Sequence, residues 1–481
     1  MKILKNGICV LISLLMILTF FTACSEKTVG TNETVGESQE TTAEIPAVPV
    51  KNFNGREFTI FTSNWWDVKS MMVYDICPEE YNGDPLNDSA YERMTKIEET
   101  YNCKISQIQG VYDVSPDFTK LQTSVRSGDP LCDFAMMRGI YFTTLLTDNY
   151  LINLDNLENI NFDNPWWQKG CSDALLLGGK RYGVSGSIST MEIALTAMMA
   201  FNKNILADFN LESPYDIVKS GAWTFEKVIE MCKVVSRDVD GDGVMGVDDM
   251  VGLVYGRDEI WNLMNSCGVK FIEIDSDGYP QLVIDKPENL SKAQNILEKL
   301  FDKSYTANNW HVGGKWSAQK TLFSLPWANS VIGNRVLDFD FGIVPLPKYD
   351  TAQGDYMSNI YGLGLPIICV PVTNNEMEDT GLFMEALSYE GYKSVFPVYY
   401  EIMLKTKGAR DSESEDMIDY IFGNLYYDTG TLIDFNGFAQ YICYNVTENY
   451  DANIASMVAK NKTACETFIR NVMDVIAAEN K

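Results

Sequence analysis

Residues 238–249 have the spacing of a calcium-binding loop. Carboxylates occupy the first, third and fifth positions, as Asp238, Asp240 and Asp242, and glycine occupies the sixth. Calcium prefers oxygen ligands, and the glycine permits the sharp turn that gathers them. Val244 would contribute its backbone carbonyl, and Asp249 stands at the last position, where the longer glutamate is usual. The sequence therefore predicts a structural calcium site of modest affinity; the alternative is an acidic turn that holds no ion.

Other metal and nucleophilic chemistry is disfavoured by the residue types. The chain has 1 histidine, His311, which makes a zinc site or a histidine-activated nucleophile improbable. None of the 11 cysteines has the Cys-x-x-Cys spacing of zinc sites. Several lie in apolar runs, as Cys369 does, so we expect buried free thiols.

The N-terminus has the pattern of an export signal. Lys2 and Lys5 precede a run from residue 8 to 21 that is almost wholly apolar but too short to span a bilayer comfortably. The stretch 21–24 then resembles the lipobox of bacterial lipoproteins, in which the cysteine is acylated after cleavage. We expect removal of residues 1–23 and a lipid on Cys24, which would hold the protein on the outer face of the membrane. The alternative is an ordinary signal peptide with a chance cysteine.

A flexible linker and a large acidic body follow. Residues 24–52 are rich in Ser, Thr, Glu and Gly, and such a coil spans roughly 25–30 Å. The rest of the 481-residue chain is too long for one core, so two lobes are expected. The formal net charge of −28 should repel nucleic acid. We expect a monomer.

Strands and helices alternate along the body. The first half predicts strands at 56–62, 104–108 and 131–137, and helices at 87–101, capped by Asn87 or Asp88, and 118–127. The second half predicts helices at 214–219, 224–236, 289–302 (capped by Asp285), 376–388 and 413–425. Its predicted strands are 194–200, 252–255, 320–325, 341–345 and 366–370. This alternation favours parallel sheets flanked by helices, with ligands beyond the carboxyl ends of the strands.

Several short motifs resemble, in their order, the extracellular solute-binding proteins of bacterial ABC importers that carry sugars and oligosaccharides. The motifs lie at residues 126–134, 145–157, 179–185, 200–203 with 223–226, and 342–347. The resemblance implies the two-lobed periplasmic-binding-protein type II fold, of the α/β class. Lobe 1 would comprise 53–188 and 364–406, and lobe 2 would comprise 191–358 and 407–481, with crossings near 188–190 and 359–363. The implied function is capture of a small solute between the lobes and its delivery to permease subunits, without catalysis.

Aromatic and polar residues at strand ends indicate a carbohydrate ligand. Sugars stack their C–H faces on aromatic rings, and their hydroxyls need paired donors and acceptors. The candidate ligand-binding residues are Asn64, Trp65, Trp66, Asp67, Arg138, Tyr255, Asp258, Trp261, Trp327, Asn329 and Tyr361. Each tryptophan could instead belong to the core, as expected for Trp223, and a peptide or an aromatic metabolite is an alternative ligand.

Two other classes of function remain open on the sequence alone. A surface glycoside hydrolase would also be acidic and aromatic, but it needs two carboxylates at a defined separation that a sequence does not reveal. A calcium-dependent adhesion or scaffold lipoprotein would use the 238–249 loop as dockerins do, although dockerins carry two such loops.

Overall fold

The computed structural model of the protein describes residues 46–64, 75–110, 114–309 and 313–478. Cys24, Trp65, Trp66, Asp67 and His311 lie outside these ranges. Residues Ala47–Lys481 form one unit of the chain and Met1–Pro46 form another.

The first sheet has four strands in the order β14-β3-β1-β2. Strand β1 (Arg56–Thr62) pairs in parallel with β2 (Cys103–Gln109) and β3 (Phe134–Arg138), and β14 (Pro366–Cys369) runs antiparallel to β3. Phe58 and Ile60 of β1 are fully buried, because helices cover the sheet and residues of this type pack well on a pleated surface.

The second sheet has five strands in the order β10-β7-β11-β6-β12. Strand β7 is parallel to β10 and β11, and β6 is antiparallel to β11 and β12. The bounds are β6 Met199–Asn202, β7 Val251–Tyr255, β10 Thr306–Asn308, β11 Thr321–Ser324 and β12 Phe341–Val344. Three short pairs join β4 (Leu176–Leu177) with β5 (Lys180–Arg181), β8 (Ile272–Ile274) with β9 (Pro280–Leu282), and β13 (Ser358–Asn359) with β15 (Leu425–Tyr426).

Helices flank both sheets, which confirms the predicted α/β class. They are α1 Pro85–Tyr101, α2 Val114–Ser127, α3 Gly139–Thr147, α4 Lys169–Ala174, α5 Met191–Ala194, α6 Lys203–Asp208, α7 Pro214–Lys219, α8 Phe225–Val235, α9 Glu259–Ser266, α10 Pro287–Leu300, α11 Ala328–Gly333, α12 Met377–Glu390, α13 Ser412–Gly423, α14 Thr429–Leu432, α15 Phe438–Asn449 and α16 Ile454–Ala478. Segments Gly391–Val395 and Val398–Thr406 are π-helical, and Leu154–Asn156, Asn334–Val336, Gly362–Gly364 and Phe435–Gly437 are 3-10 turns.

Two segments connect the sheets side by side. Residues 184–197 run antiparallel to residues 359–368, and we call them the first and second crossings. The backbone hydrogen bonds between them run from Val184 N to Ile368 O (3.0 Å), Ile368 N to Val184 O (2.9 Å), Ala197 N to Asn359 O (2.8 Å) and Tyr361 N to Leu195 O (3.0 Å).

Buried polar side chains fasten the first crossing to the elements beside it. Arg93 of α1 donates to the carbonyl of Ile188 at 2.8 Å. The Asp75 carboxylate accepts from the Ser189 hydroxyl at 2.8 Å and from the N–H and hydroxyl of Thr190 at 2.6 and 2.9 Å. All these groups are withdrawn from water, so each bond is hard to replace once broken.

Two predicted helix caps are wrong. Helix α1 is capped by Asp84, which accepts from the N–H groups of Leu86 and Asn87, because Pro85 favours an earlier start than Asn87 or Asp88. Asp285 does not cap α10, which begins at Pro287 after Lys286; instead it pairs with Lys462 at 2.6 Å.

The predicted strand at 194–200 is shorter and later than expected. Residues Met191–Ala194 form helix α5, and β6 begins only at Met199. The apolar run is explained by the first crossing, whose residues 195–197 bond to the second crossing and to residues next to β11 and α11.

The cysteines confirm the prediction of buried free thiols. All nine cysteines of the described residues are free, and all but Cys77 are buried. Burial raises the pKa of the Cys77 and Cys267 thiols to about 12.

We expect Gly391→Ala to destabilise the protein, because a Cβ there would lie 1.9 Å from the carbonyl oxygen of Ser187, just before the fastened part of the first crossing. Overpacking of this kind typically costs about 1–3 kcal/mol, to be measured by chemical denaturation. The control is Gly423→Ala in α13, where a Cβ meets nothing within 4 Å. Equal stability of the two variants would contradict the prediction.

A second prediction concerns pH. Burial raises the pKa of Asp434 to about 7, although its carboxylate accepts the N–H groups of Ala439 and Gln440 at the start of α15. An aspartate in the unfolded chain has a pKa of about 3.9, so this group's contribution to stability is complete below that pH and is lost as the pH rises through about 7.

We therefore expect wild-type protein to lose unfolding free energy relative to Asp434→Asn between pH 4.5 and 8, by an amount on the order of 2 kcal/mol. Denaturation curves at several pH values measure the difference. Asp208→Asn, at an exposed position on α6, is the matched control and should track wild type. Parallel pH profiles for wild type and Asp434→Asn would contradict the assignment.

Candidate functional site

Two predicted ligand-binding residues lie at the carboxyl edge of the first sheet. Asn64 follows β1 and Arg138 ends β3, and both are buried. The backbone N–H of Asn64 donates to the Asp117 carboxylate at 3.1 Å, and its side-chain amide donates to the Gly110 carbonyl at 2.7 Å. Its side-chain oxygen has no hydrogen-bond partner within the described ranges. This buried oxygen is therefore an acceptor left unused at the edge of the sheet.

Arg138 links this edge to the second crossing. Its guanidinium donates to the carbonyl of Gly364, and its backbone N–H donates to the Ser63 hydroxyl at 3.3 Å. Burial lowers the pKa of Arg138 to about 10, against the opposing influence of Tyr361 and Asp117. A cation withdrawn from water in this way holds its neighbours tightly, because releasing them would leave it unpaired.

Four aromatic side chains meet beside the crossings, and we call them the aromatic cluster: Trp261, Trp327, Tyr361 and Tyr444. Trp261 lies in α9, Trp327 precedes α11, Tyr361 belongs to the second crossing, and Tyr444 lies in α15. The rings of Trp327 and Tyr361 stack at 4.7 Å with an interplanar angle of 18°. The ring centre of Trp261 lies 6.1 Å from the ring centres of both Tyr361 and Tyr444. The second sheet, a crossing and the C-terminal helices thus contribute to one site.

Asp258 organises the polar side of the cluster. Its carboxylate accepts from the Tyr444 hydroxyl at 2.6 Å and from the Tyr361 hydroxyl at 3.5 Å. Burial raises the pKa of Asp258, and the Tyr444 hydroxyl opposes the rise. Arg257 lies 4.0 Å from the centre of the Tyr444 ring and 3.7 Å from the Glu448 carboxylate. These contacts fix the orientation of both tyrosine rings.

The two indole N–H groups of the cluster are the unsatisfied donors of the site. Trp261 and Trp327 are 3% and 9% exposed, and neither Nε1 has an acceptor among the residues that the structure describes. Buried indole N–H groups usually find a partner. Both indole N–H groups of the cluster therefore lie beside aromatic faces with their hydrogen-bonding capacity unused among the described residues.

Two other predicted residues do not join the cluster. Tyr255, at the end of β7, packs against Phe301 with ring centres 6.4 Å apart. Asn329 lies in α11 and lines a separate cavity of about 100 Å³ with Asp75 and Tyr399, next to the first crossing.

Two residues that the structure adds to the site were not predicted from the sequence. Asp117 lies in the first turn of α2, and Tyr444 lies in the middle of α15. Asp117 lies just before the predicted helix at 118–127, and nothing in the sequence of α2 or α15 distinguishes the residue that faces the site.

The predicted calcium loop brings three carboxylates together. One oxygen from each of Asp238, Asp240 and Asp242 lies within 4.8 Å of the others, and all three residues are exposed. Backbone N–H groups orient them: Gly241 donates to Asp238 at 2.6 Å, and Val244 donates to Asp242 at 2.7 Å. The backbone N–H of Asp242 lowers the pKa of Asp240, but desolvation and the neighbouring carboxylates outweigh it and leave that pKa raised. A divalent cation relieves such repulsion, so the donor set fits calcium.

Asp249 stands outside this group of three. Its carboxylate accepts from the N–H groups of Val239 at 2.7 Å and Gly246 at 2.6 Å and so ties together the two ends of the loop. The ammonium group of the buried Lys315 donates to the Asp249 carbonyl at 2.6 Å and so holds the C-terminal end of the loop in place.

No described helix combines the length and the apolar character needed to cross a bilayer.

Comparison with known proteins identifies the fold. No family model matches the sequence, and no curated protein matches it. Among solved structures, an ABC substrate-binding protein from Listeria monocytogenes in complex with cycloalternan is similar, with a TM-score of 0.54, 13% identity, and coverage of 88% of this chain and 99% of that one. UgpB from Mycobacterium tuberculosis in complex with glycerophosphocholine has a TM-score of 0.56, 12% identity, and coverage of 80% of this chain and 96% of that one.

A third similar structure is the cyclic alpha-maltosyl-1,6-maltose binding protein from Arthrobacter globiformis, with a TM-score of 0.53, 16% identity, and coverage of 88% of this chain and 99% of that chain. The likeness extends over nearly the whole length of each of these proteins. Because the sequence identities are low, it is evidence for a shared fold alone. The chain therefore has the two-lobed α/β fold of solute-binding proteins.

Proposed function

We propose that this protein is a solute-binding protein that captures a carbohydrate between its two lobes and delivers it to an ABC permease. The observation that carries the proposal is the pair of buried indole N–H groups without an acceptor, on Trp261 and Trp327, beside the stacked ring of Tyr361. Sugar hydroxyls supply acceptors, and sugar C–H faces suit aromatic rings.

The ligands of the similar structures support the same class of solute. The proteins from Listeria monocytogenes and Arthrobacter globiformis are described with cycloalternan and with cyclic alpha-maltosyl-1,6-maltose, which are carbohydrates. UgpB from Mycobacterium tuberculosis is described with glycerophosphocholine, a phosphodiester that also carries hydroxyls. The described ligand-binding candidates include one cation, Arg138, which is already bonded to Gly364, so a neutral sugar suits this site better than a phosphodiester.

The mechanism follows from the position of the cluster. Lobe 1 is assigned to 53–188 and 364–406, and lobe 2 to 191–358 and 407–481. A ligand that contacts Arg138 and Asn64 on one side and Trp261 and Trp327 on the other favours the closed arrangement, because only that arrangement makes both sets of contacts. Closure alters the surface offered to the permease, and no bond is made or broken, so the protein is not an enzyme.

The N-terminal segment completes the transport proposal. With a lipid on Cys24 and a linker at 24–52, a monomeric body would stay within roughly 25–30 Å of its attachment on the extracellular face of the membrane. There it can pass its ligand to permease subunits without diffusing away. The acidic charge of −28 argues against a role with nucleic acid.

We also propose that the 238–249 loop binds calcium in a structural role. Asp238, Asp240 and Asp242 would supply carboxylate oxygens and Val244 its carbonyl, while Asp249 keeps the loop closed. The loop lies after α8, apart from the aromatic cluster in sequence, and lobe closure does not require it.

Trp327→Ala tests the carbohydrate site. We expect it to weaken saccharide binding by at least about tenfold, since it removes both a ring face and a donor. Trp223→Ala is the control, because Trp223 is fully buried and its indole N–H donates to the Pro345 carbonyl at 2.9 Å. It should chiefly lower stability, by about 3–5 kcal/mol.

The measurements are thermal shift and titration calorimetry with mono- and oligosaccharides, and chromatography to check that the sugars stay intact. Stabilisation by peptides but by no saccharide would overturn the carbohydrate assignment and leave the fold. Release of shorter sugars on incubation would instead identify a glycoside hydrolase.

Calcium binding is tested by removal and return of the ion. Millimolar Ca²⁺ added to chelator-treated protein should raise the Tm by roughly 2–4 °C, because an ion that binds only the folded state stabilises it. Asp240→Asn should abolish the shift, and Asp277→Asn, at an exposed turn between β8 and β9, should retain it. The same shift in both variants would assign the effect to non-specific screening.

A further inference from the structure

A groove of about 470 Å³ lies between the C-terminal helices α15 and α16. We call it the α15–α16 groove. Its polar and aromatic lining includes Asn436, Gln440, Tyr441, Tyr444, Glu448 and Asn461. Its volume falls within the range of about 300–1,000 Å³ typical of small-ligand pockets.

The lining selects a class of ligand. Primary amides both donate and accept hydrogen bonds, and tyrosine adds a ring face and a hydroxyl, which together match the alternating donors and acceptors of a saccharide. None of the residues found to line the groove is a lysine or arginine, and Glu448 contributes a negative charge. The Lys460 ammonium lies 3.4 Å from the Tyr441 hydroxyl, so one charge of each sign stands beside the groove, which suits a neutral ligand.

The groove shares a wall with the aromatic cluster. The ring of Tyr444 lines the groove, lies 6.1 Å from Trp261, and carries the hydroxyl that donates to Asp258. Glu448 also lines the groove and pairs with Arg257, whose guanidinium lies over the Tyr444 ring at 4.0 Å from its centre. A ligand in the groove and a ligand at the cluster would thus contact the same helix within about one helical turn of each other.

The two sites differ in how open they are. The cluster side chains Trp261, Trp327 and Tyr361 are 3%, 9% and 1% exposed, whereas Tyr441 in the groove is 37% exposed. The cluster side chains are thus enclosed, whereas the groove is accessible from solvent.

We propose that the α15–α16 groove is a second saccharide-binding site, which takes the distal units of an oligosaccharide whose first units contact the aromatic cluster. This inference rests on the proposed function and adds to it a preference for chain length: the protein selects linear oligosaccharides over monosaccharides and disaccharides.

Ala464→Trp blocks the groove without altering the cluster, since Ala464 lines the groove from α16 and is exposed. Thr463→Trp is the matched control, because Thr463 is an exposed neighbour on the same helix that does not line the groove. The less intrusive variant Tyr441→Ala removes the exposed ring and guards against misfolding of Ala464→Trp.

The probes are linear gluco-, manno-, galacto- and xylo-oligosaccharides of one to six units, titrated by calorimetry. In wild type we expect affinity to rise about tenfold between two and four units, comparable to one additional aromatic contact with its hydrogen bonds. Ala464→Trp and Tyr441→Ala should lose this gain and keep the affinity for the shortest sugar that binds, and Thr463→Trp should keep both.

Retention of the full chain-length gain in Ala464→Trp and Tyr441→Ala would overturn the second site and leave the proposed function intact. Absence of any gain in wild type, with short sugars still binding, would do the same. Failure of every saccharide to bind wild type would overturn the proposed function itself, and the second site with it.

Discussion

The paired crossings are the constraint on which the arrangement of the site depends. Residues 184–197 and 359–368 run antiparallel and bond to each other through their backbones, so neither can shift along the other without breaking several hydrogen bonds at once. The pairing holds at both ends of the crossings, at Val184 with Ile368 and at Leu195 and Ala197 with Tyr361 and Asn359. It therefore fixes the position of Tyr361 relative to both sheets.

Buried polar side chains surround the crossings. Asp75 and Arg93 fasten the first crossing, Arg138 reaches the second, and Asp258 holds the tyrosine hydroxyls of the cluster. Buried groups of this kind contribute little net stability, but they penalise every arrangement that separates them from their partners. Within this frame the indole N–H groups of Trp261 and Trp327 have no acceptor among the described residues.

Elements with a strong local pattern were predicted well from the sequence. Helices α7 and α8 and strands β7, β11, β12 and β14 have apolar runs and turn residues that determine them locally, and the structure has them within one or two residues. The strand predicted at 194–200 failed because its apolar residues serve the crossing, a tertiary role that periodicity does not reveal. Asp84 replaced Asn87 and Asp88 as a cap because several acidic and amide residues compete in one short stretch.

The site was predictable only in outline, for a related reason. Trp261, Trp327 and Tyr361 were recognised from residue type and position after strands, and the structure brings them together. Tyr255 has the same signature but packs against Phe301, and Tyr444 arrives from a helix far along the chain. Which face of an element meets a neighbour is decided by packing between distant segments, and a single sequence contains no record of those distances.

Burial makes the cysteines of this fold poorly reactive. Burial raises the pKa of thiols such as Cys132, Cys232 and Cys369, so the thiolate that reacts with oxidants and disulfides is scarce at neutral pH. All nine described cysteines are free, and the described fold is complete without a single cross-link. In the folded body these buried thiols therefore react slowly with oxidants and disulfides.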